Sequence, residues 1–171
     1  IGGDPQITDA RDIPSTVEIG NGTTAREFVT IHRSAKENEK TIVGKGCLLM
    51  AYVHLAHDCV IGDEVVIVNG TELSGHIVVE DRAFISGMVG AHQFVRFGKL
   101  SMTGGMSRIV KDILPFCTVE GSPARLIGTN SVGLRRVGMA PTIRNGLKKA
   151  IRLLMHSDLN TTQAIKKIQE E

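Results

Sequence analysis

Aromatic residues are scarce in this chain of 171 residues, which has no tryptophan, one tyrosine and five phenylalanines. Proteins that bind single-stranded nucleic acids stack the bases on aromatic side chains, so this composition offers few such platforms. We therefore expect no nucleic-acid partner.

Long apolar runs are missing as well. No stretch approaches the roughly 20 apolar residues that a helix needs to cross a bilayer. The start of the sequence, IGGDPQ, has neither the basic region nor the apolar stretch of a secretory signal, and it has no initiator Met. We expect a cytoplasmic protein without a membrane span, whose natural N-terminus lies outside this sequence.

Cysteine is also rare. Cys47, Cys59 and Cys117 are odd in number and show no CxxC spacing, which argues against a disulfide framework or a thiolate zinc site. We expect the three to be small side chains packed in the core.

What the sequence does contain is a repeat of six residues. Every sixth residue from 43 onward is apolar, with a threonine as the one polar member, and ten of the twelve are large. These positions are Val43, Leu49, Leu55, Ile61, Ile67, Leu73, Val79, Ile85, Ala91, Phe97, Thr103 and Ile109. The residue four places after each of them is small or β-branched, from Cys47 to Ile113. A helix has a period of 3.6, whereas short strands joined by tight turns fit this pattern.

The repeat resembles that of left-handed parallel β-helices, in which three hexads form one triangular coil. We predict a mainly β fold of this kind over residues 1–121, with loop excursions at 3–16 and 34–41, where the phase is interrupted by polar or proline-containing sequence. Residues 122–171 are predicted to form a linker and a C-terminal α-helical region that caps the coil.

The C-terminal region changes to a helical period. APTIRNGLKKAIRLLMHS places Ile143, Leu147, Ala150, Ile151 and Leu154 on one face. A second helix is predicted after Asn160, because a glutamine stands three residues later in a capping-box pattern.

The histidines fall at related positions of the repeat. With 18 residues per coil, the hexads that begin at Leu55, Leu73 and Ala91 stack, and they carry His57, His76 and His92. Adjacent coils are spaced like adjacent strands, about 4.8 Å apart. We therefore expect these three imidazoles near one corner of the coil, with His54 approaching the same corner.

Two chemistries would use such a cluster. Zinc binds neutral imidazole, and gamma-class carbonic anhydrases share this architecture, but their His-x4-His spacing does not occur here. The alternative is general acid-base catalysis, in which a carboxylate supports a histidine that takes a proton near neutral pH. Asp58, directly after His57, fits the second interpretation, and we expect no metal site.

Four segments, HLAHDCVIGD, LSGHIVVEDRAFISG, GAHQFVRFG and GSPARLIGTNSVGLRR, together resemble the UDP-N-acetylglucosamine O-acyltransferase family, which opens lipid A synthesis. The resemblance covers essentially the whole chain, although several N-terminal coils and the end of the helical domain of the family are missing. It implies a cytoplasmic homotrimer with active sites between subunits and no cofactor. The implied reaction moves a 3-hydroxyacyl chain from acyl carrier protein to the 3-hydroxyl of the UDP-sugar.

The resemblance also implies roles for individual residues. His57 matches the catalytic base, Asp58 its carboxylate partner, and Gly75 the residue whose backbone N–H stabilises the oxyanion. The positions that match substrate-binding residues are Gln6, His54, His76, His92, Gln93, Gly105, Asn130 and Arg136. The chain departs from the family pattern at Ile7, Val132 and Val137, which leaves the exact acceptor sugar open.

Basic charge is concentrated at the end of the chain. Residues 1–134 contain 12 Lys and Arg against 15 Asp and Glu, whereas residues 135–171 contain 8 against 3. On the longest predicted helix, four of these charges recur on one side, at Arg144, Lys148, Lys149 and Arg152. We interpret this side as a docking surface for the acidic acyl carrier protein, although a solvated helix face would look the same.

Two alternatives to this function stay open at the level of sequence. One is another hexapeptide acyltransferase that uses acetyl-CoA or an amino-sugar acceptor. The other is a metal-binding β-helix of the carbonic anhydrase type.

Overall fold

The computed structural model describes residues 1–9 and 12–170 of the chain. It forms two compact units, Ile1–Ile127 and Gly128–Glu171. Among the described residues, no helix is long and apolar enough to cross a membrane.

The first unit is a parallel β-helix with three sheets, which confirms the predicted fold class. The first sheet contains β1 (Thr16–Ile19), β4 (Lys40–Val43), β7 (Val60–Ile61), β10 (Val78–Val79) and β13 (Arg96–Phe97). The second contains β2 (Thr24–Ala25), β5 (Leu48–Leu49), β8 (Val66–Ile67), β11 (Phe84–Ile85), β14 (Met102–Thr103), β16 (Cys117–Gly121) and β17 (Ala124–Thr129). The third contains β3 (Thr30–Ile31), β6 (His54–Leu55), β9 (Glu72–Leu73), β12 (Gly90–Ala91) and β15 (Arg108–Ile109).

The repeat of six residues produces both the sheets and the core. Leu55 pairs with Leu73, and Ala91 pairs with both Leu73 and Ile109, so partners on one sheet lie 18 residues apart. Each of the twelve repeat positions from Val43 to Ile109 is at most 4 % exposed, and so is each of their twelve companions four residues later. One residue in three therefore points into the coil, where burial of its apolar surface stabilises the fold.

The two loop excursions begin and end close to the predicted positions. Lys40 and Thr41 already belong to β4, so the second loop covers 34–39. The six additional residues account for the pairing of Thr16 with Lys40, which are 24 residues apart instead of 18. Thr16 likewise starts β1. Residues 10 and 11 of the first predicted excursion lie outside the described residues.

The predicted boundary at residue 121 is corrected by the structure. Ala124–Thr129 forms β17, which is adjacent to β16 in the second sheet, and the first unit extends to Ile127. The sequence after Cys117 lacks the period of six, but its backbone still continues the hydrogen-bonded ladder of the second sheet.

The second unit contains α1 (Ser131–Arg136), α2 (Pro141–His156) and α3 (Thr161–Glu170), and α2 and α3 contact each other. The capping box before α3 is present, since the backbone N–H of Asn160 donates to Gln163 Oε1 and that of Gln163 donates to Asn160 Oδ1, both at 3.0 Å. Of the predicted apolar face of α2, Ile151 is buried, whereas Ile143 in the first turn is 56 % exposed.

Candidate active site

The candidate site lies at the corner that follows the third sheet. His57 and Asp58 form the turn after β6, and Gly75 and His76 form the same turn one coil later. Asp58 and His76 both have a left-handed backbone, with φ of 60° and 61°. Equivalent turns therefore stack, and residues 18 apart in the sequence become neighbours in space.

His57 and Asp58 are directly hydrogen-bonded. His57 Nδ1 lies 2.6 Å from Asp58 Oδ2, and the histidine is only 9 % exposed. A carboxylate accepts hydrogen bonds, so the proton of a neutral imidazole belongs on Nδ1 in this geometry. The other ring nitrogen, Nε2, is left with a lone pair that can accept a proton.

Asp58 is held in its charged form. Ser34 Oγ lies 2.5 Å from Asp58 Oδ1, and the backbone N–H of Ala35 donates to Oδ2 at 3.3 Å. Burial is the largest single influence on this carboxyl and raises its pKa. The hydrogen bonds from Ser34, His57 and Ala35, with the nearby His76, together outweigh burial and lower the pKa of Asp58.

Gly75 lies directly against the imidazole. A Cβ added at this glycine would be 2.7 Å from both Cε1 and Nε2 of His57, so any side chain would displace the ring. Within residues 1–9 and 12–170, the backbone N–H of Gly75 has no hydrogen-bond partner. The N–H of this buried glycine is thus available for another acceptor.

His76 completes the corner. Its ring centroid is 5.0 Å from that of His57 in an edge arrangement, and its other side stacks on Phe94 at 4.7 Å. Burial is the main cause that lowers the pKa of His76, which favours the neutral ring, although Asp58 opposes this effect.

Of the other two predicted histidines, His54 lines the same cavity as His57, whereas His92 lines a different one, which corrects the expected position of His92 at the corner. His54 is on β6, where its Nδ1 is 2.7 Å from Thr30 Oγ1 and its ring is edge-on to His32 at 4.7 Å. His92 follows β12 and contacts the carbonyl oxygen of Gln93 through Nδ1 at 3.1 Å. His57 and His76 both belong to the stacked turns, whereas His92 stands one position before the equivalent turn on its own coil.

A cleft of about 340 Å³ connects several of the predicted residues. It is lined by Gln6, Ile7, His54, His57, Gly75 and Gln93, among others. His92 instead lines a second cavity of about 280 Å³, which shares Glu72 and Ser74 with the first. The cleft thus joins the His57 imidazole to the segment that contains Gln6, which is 51 residues earlier in the chain.

Three other predicted substrate positions have different surroundings. A Cβ at Gly105 would meet only Gly87 O at 3.5 Å and Ser86 Cβ at 4.0 Å, so a small side chain would fit there. Asn130 is the N-cap of α1, since its Oδ1 accepts the backbone N–H of Gly133 at 3.0 Å. Arg136 is exposed in the last turn of the same helix.

The basic residues of α2 differ in their exposure. Lys148, Lys149 and Arg152 are exposed. Arg144 is partly buried, and its Nε has no hydrogen-bond partner in the part of the chain that the structure describes. The exposed basic surface therefore consists of three of the four predicted residues.

The ligand atoms of His57, Asp58 and His76 lie within 4.8 Å of one another. Among the described histidine, cysteine and acidic side chains, this is the only group of three that could hold a metal ion. Ligands around a tetrahedral zinc ion, with bonds of about 2.0 to 2.2 Å, lie more than about 3 Å apart. The 2.6 Å distance between His57 and Asp58 therefore fits a hydrogen bond better than a shared metal ion.

The sequence analysis missed Ser34 and Thr41, which both bind Asp58. Thr41 Oγ1 accepts the backbone N–H of Asp58 at 2.9 Å, while Ser34 contacts the carboxylate. Both were assigned to a polar loop, and no local signal distinguishes a loop serine that faces solvent from one that is completely buried, as Ser34 is.

Comparison with known proteins places this geometry in a family. Residues 112–171 match the family described as UDP-N-acetylglucosamine O-acyltransferase, domain 2, and residues 40–75 match the bacterial transferase hexapeptide family. The solved UDP-N-acetylglucosamine acyltransferase of Bacteroides fragilis is 39 % identical, with a TM-score of 0.94, and the alignment covers 100 % of this chain and 67 % of that one. The chain belongs to the UDP-N-acetylglucosamine O-acyltransferase family.

Two further relatives agree with this assignment. The acyl-[acyl-carrier-protein]--UDP-N-acetylglucosamine O-acyltransferase of Gloeothece citriformis is 48 % identical over 99 % of this chain. The structure of the Francisella novicida UDP-N-acetylglucosamine acyltransferase is 34 % identical, has a TM-score of 0.94, and is matched over 99 % of this chain and 63 % of its own length. The chain spans 61 % of the length of the Gloeothece relative.

Membership of this acyltransferase family decides between two proteins that share the β-helix fold, an acyltransferase and a metal-binding protein of the carbonic anhydrase type. It favours the acyltransferase. Donor and acceptor remain to be assigned from the site.

Proposed function

We propose that this protein transfers a 3-hydroxyacyl chain from acyl carrier protein to the 3-hydroxyl of UDP-N-acetylglucosamine, as a cytoplasmic enzyme of lipid A biosynthesis. The observation that carries the proposal is the hydrogen bond of 2.6 Å between His57 Nδ1 and Asp58, together with the close approach of Gly75 to the same imidazole. The names of the relatives support the choice of substrates.

The first half of the reaction uses His57 as a general base. The sugar hydroxyl oxygen attacks the carbonyl carbon of the thioester while its proton moves to His57 Nε2. Asp58 accepts the Nδ1 proton in a hydrogen bond and stabilises the imidazolium that forms, which is why its ionised state matters. Charge on the former carbonyl oxygen is stabilised by the backbone N–H of Gly75.

The second half returns the proton. The carbon–sulfur bond breaks, the carbonyl forms again as an ester, and His57 Nε2–H protonates the departing thiolate. The imidazole is then neutral and ready for another cycle. Every proton and electron pair is accounted for by the two substrates and His57, so the reaction requires no cofactor.

We place the acceptor substrate, the UDP-sugar, in the cleft beside His57. Gln6, His54 and Gln93 provide polar groups around His57 that can bind sugar hydroxyls, and His76 adds a ring at the corner. Burial is the largest influence on His54 and lowers its pKa, so its neutral ring can both donate and accept hydrogen bonds. We assign the second cavity, with His92, to the donor, and Asn130 and Arg136 to the nucleotide.

The assay that tests this function offers the purified protein UDP-N-acetylglucosamine with either a long 3-hydroxyacyl carrier protein or acetyl-CoA. We expect an O-acylated sugar nucleotide with the first donor and little product with the second. Transfer from acetyl-CoA, or transfer only to an amino sugar, would replace this proposal with that of another hexapeptide acyltransferase.

A homotrimer is also proposed, and an apolar corner supports it. Phe28, Tyr52, Met88 and Met106 lie in equivalent turns between the second and third sheets and are 71 %, 60 %, 64 % and 79 % exposed. Phe28 and Tyr52 stack at 4.9 Å. An exposed apolar column of this length fits contact with other copies of the chain. Light scattering should give the mass of three chains.

The basic residues of α2 give a prediction about the donor. If Lys148 and Arg152 attract the acidic carrier protein, the double substitution Lys148→Glu and Arg152→Glu will raise the KM for acyl carrier protein about 10-fold or more at low salt. The effect will shrink as salt screens the charges over a Debye length of about 8 Å. Steady-state kinetics at several ionic strengths measure both.

A small pantetheine thioester serves as the control donor in the same kinetics. Its KM should change little in the doubly substituted protein, because it carries no acidic protein surface. Equal losses with both donors would show damage to folding or to the sugar site instead of lost docking.

Gly105 gives a prediction about acyl length. We assign the distal acyl chain to the space beside Gly105, because a Cβ at this position would meet no heavy atom closer than 3.5 Å. A long side chain at this position would extend into that space. We expect Gly105→Met to disfavour the longest accepted donors, at about 1 to 3 kcal/mol per excluded methylene at most, while shorter donors react normally. Competition between 3-hydroxyacyl donors of graded length measures this, and an unchanged preference would assign Gly105 to the turn alone.

A further inference from the structure

The loop of residues 34–39 interrupts the β-helix, yet its first residue is completely buried. Ser34 is 0 % exposed, although the loop around it is polar and mostly at the surface. Ser34 does not line the cleft that contains His57. Its hydroxyl therefore has a role other than contact with solvent or substrate.

The contacts of Ser34 assign its hydroxyl proton. The backbone N–H of Lys36 donates to Ser34 Oγ at 3.0 Å, so that oxygen already accepts one hydrogen bond. Its own proton has two candidate acceptors, Lys36 O at 3.4 Å and Asp58 Oδ1 at 2.5 Å. A distance of about 2.5 to 2.7 Å is typical of a hydroxyl that donates to a carboxylate, so the proton points to Asp58.

The two oxygens of Asp58 are then used differently. Oδ1 accepts from Ser34, whereas Oδ2 lies at 2.6 Å from His57 Nδ1 and at 3.3 Å from the backbone N of Ala35. Ser34 provides the only side-chain hydrogen bond to Oδ1 among the described residues. Rotation of the carboxylate away from His57 would break this hydrogen bond, so the serine fixes the plane in which Oδ2 meets the imidazole.

Ser34 is itself anchored from the other loop excursion. Ser15 Oγ donates to the carbonyl oxygen of Ser34 at 2.6 Å, and Arg33 donates to Ser15 Oγ at 3.1 Å. The backbone N–H of Asn38 also donates to Pro14 O at 2.7 Å. Two loops that are distant in the sequence therefore brace the residue that contacts Asp58.

We propose that Ser34 is a positioning residue for the Asp58–His57 pair, which it orients through its hydrogen bond to Asp58 Oδ1. This inference rests on the proposed acyl-transfer function of His57. Ser34 touches neither substrate, and its contribution acts on the rate of proton transfer rather than on binding.

The test compares Ser34→Ala with Thr41→Val. Thr41→Val is the control, because it also removes one buried hydroxyl and valine has nearly the same shape as threonine. Thr41 is also completely buried and also binds Asp58, but through the backbone N–H instead of the carboxylate. Ser34→Ala should lower kcat about 10-fold to 100-fold, the size of one lost hydrogen bond to a charged group. The KM for both substrates should stay within about twofold of the wild-type values, because no cleft residue changes.

A second measurement distinguishes a lost orientation of the Asp58 carboxylate from general damage to the fold. Carbon-13 NMR of the Asp58 carboxyl follows its titration directly, and the loss of the Ser34 donor should move the midpoint to higher pH in Ser34→Ala but not in Thr41→Val. The other charged or titratable groups around Asp58 are His57, His76, Lys36 and the buried thiol of Cys59. All four are the same in both variants.

Three results would overturn the proposal. These are an unchanged Asp58 titration in Ser34→Ala, an unchanged kcat in that variant, or equal effects of the two substitutions on both measurements. If the wild-type protein transfers no acyl chain, the proposed function fails, but the Asp58 titration still decides whether Ser34 holds the carboxylate.

Discussion

Substitution of His57 by alanine should lower kcat by about 10² to 10⁴-fold, the range typical of a lost general base. No neighbour can replace it, because His76 Nε2 faces Asp58 Oδ2 at 3.7 Å and His54 is paired with Thr30. The imidazole is small and lies at a corner outside the apolar core. The fold and the oligomer should therefore persist, as checked by thermal unfolding and light scattering.

His92→Ala provides the comparison for this experiment. His92 lines the second cavity and does not touch the His57–Asp58 pair, so its removal should raise KM more than it lowers kcat. If purified His57→Ala protein turned over at nearly the wild-type rate, the assignment of the base would be wrong. Equal kcat losses in the two variants would also contradict it.

Gly75→Ala is expected to have the second largest effect, with a loss in kcat of about 10² to 10³-fold. The added methyl carbon would lie 2.7 Å from Cε1 and Nε2 of His57, well inside contact distance. The ring would have to rotate, which would break its hydrogen bond to Asp58 and misalign the proton acceptor. The same methyl would crowd the oxyanion beside the Gly75 N–H, and the loss of one such donor alone costs about 10² to 10³-fold.

Gly90→Ala is a control on the next coil. A Cβ at Gly90 would meet no heavy atom within 4 Å, so this substitution should leave kcat and stability close to wild type. Gly90 lines the second cavity, so any effect of the added methyl should fall on the KM of the donor. Gly75→Ala should also keep the β-helix, because the clash is with a side chain and not with backbone. Activity of Gly75→Ala equal to that of Gly90→Ala would remove Gly75 from the mechanism.

Metal chelation separates the acid-base mechanism from a metal-dependent one at the same corner. The close contact between His57 and Asp58 leads us to expect full activity after dialysis against a chelator. Lost activity that zinc restores would assign the three corner residues to a metal site.

The repeat could be predicted from the sequence, because it depends only on where apolar residues recur along the chain. Val43, Leu49 and the positions that follow must be apolar to fill a narrow core, and burial of each of them was predicted correctly. The pairing of His57 with Asp58 was implied by the resemblance to the acyltransferase family, since adjacency in the sequence does not by itself bring two side chains into contact. The capping box at Asn160, in contrast, is local.

Predictions that depended on distance between coils were less accurate. His92 was placed beside His57, because a coil length of 18 residues fixes which hexads stack but not where each side chain points. His92 stands one position before the turn that is equivalent to the turn of His57 and Asp58, and its imidazole lines the neighbouring cavity instead. The N-cap that Asn130 forms at α1 was not predicted either, because it depends on where the helix begins.

The sequence by itself determined the period of six, the three-sided coil and the residues that fill it, because a strict repeat of apolar positions is satisfied by one kind of backbone. It also identified His57 and Asp58 as a chemical pair. Only the tertiary structure decided that Ser34, 24 residues earlier, donates to Asp58, and that Gln6 reaches the cleft of His57. Both residues belong to loop excursions that lack a repeat, so their positions are fixed by contacts between distant segments and not by any local pattern.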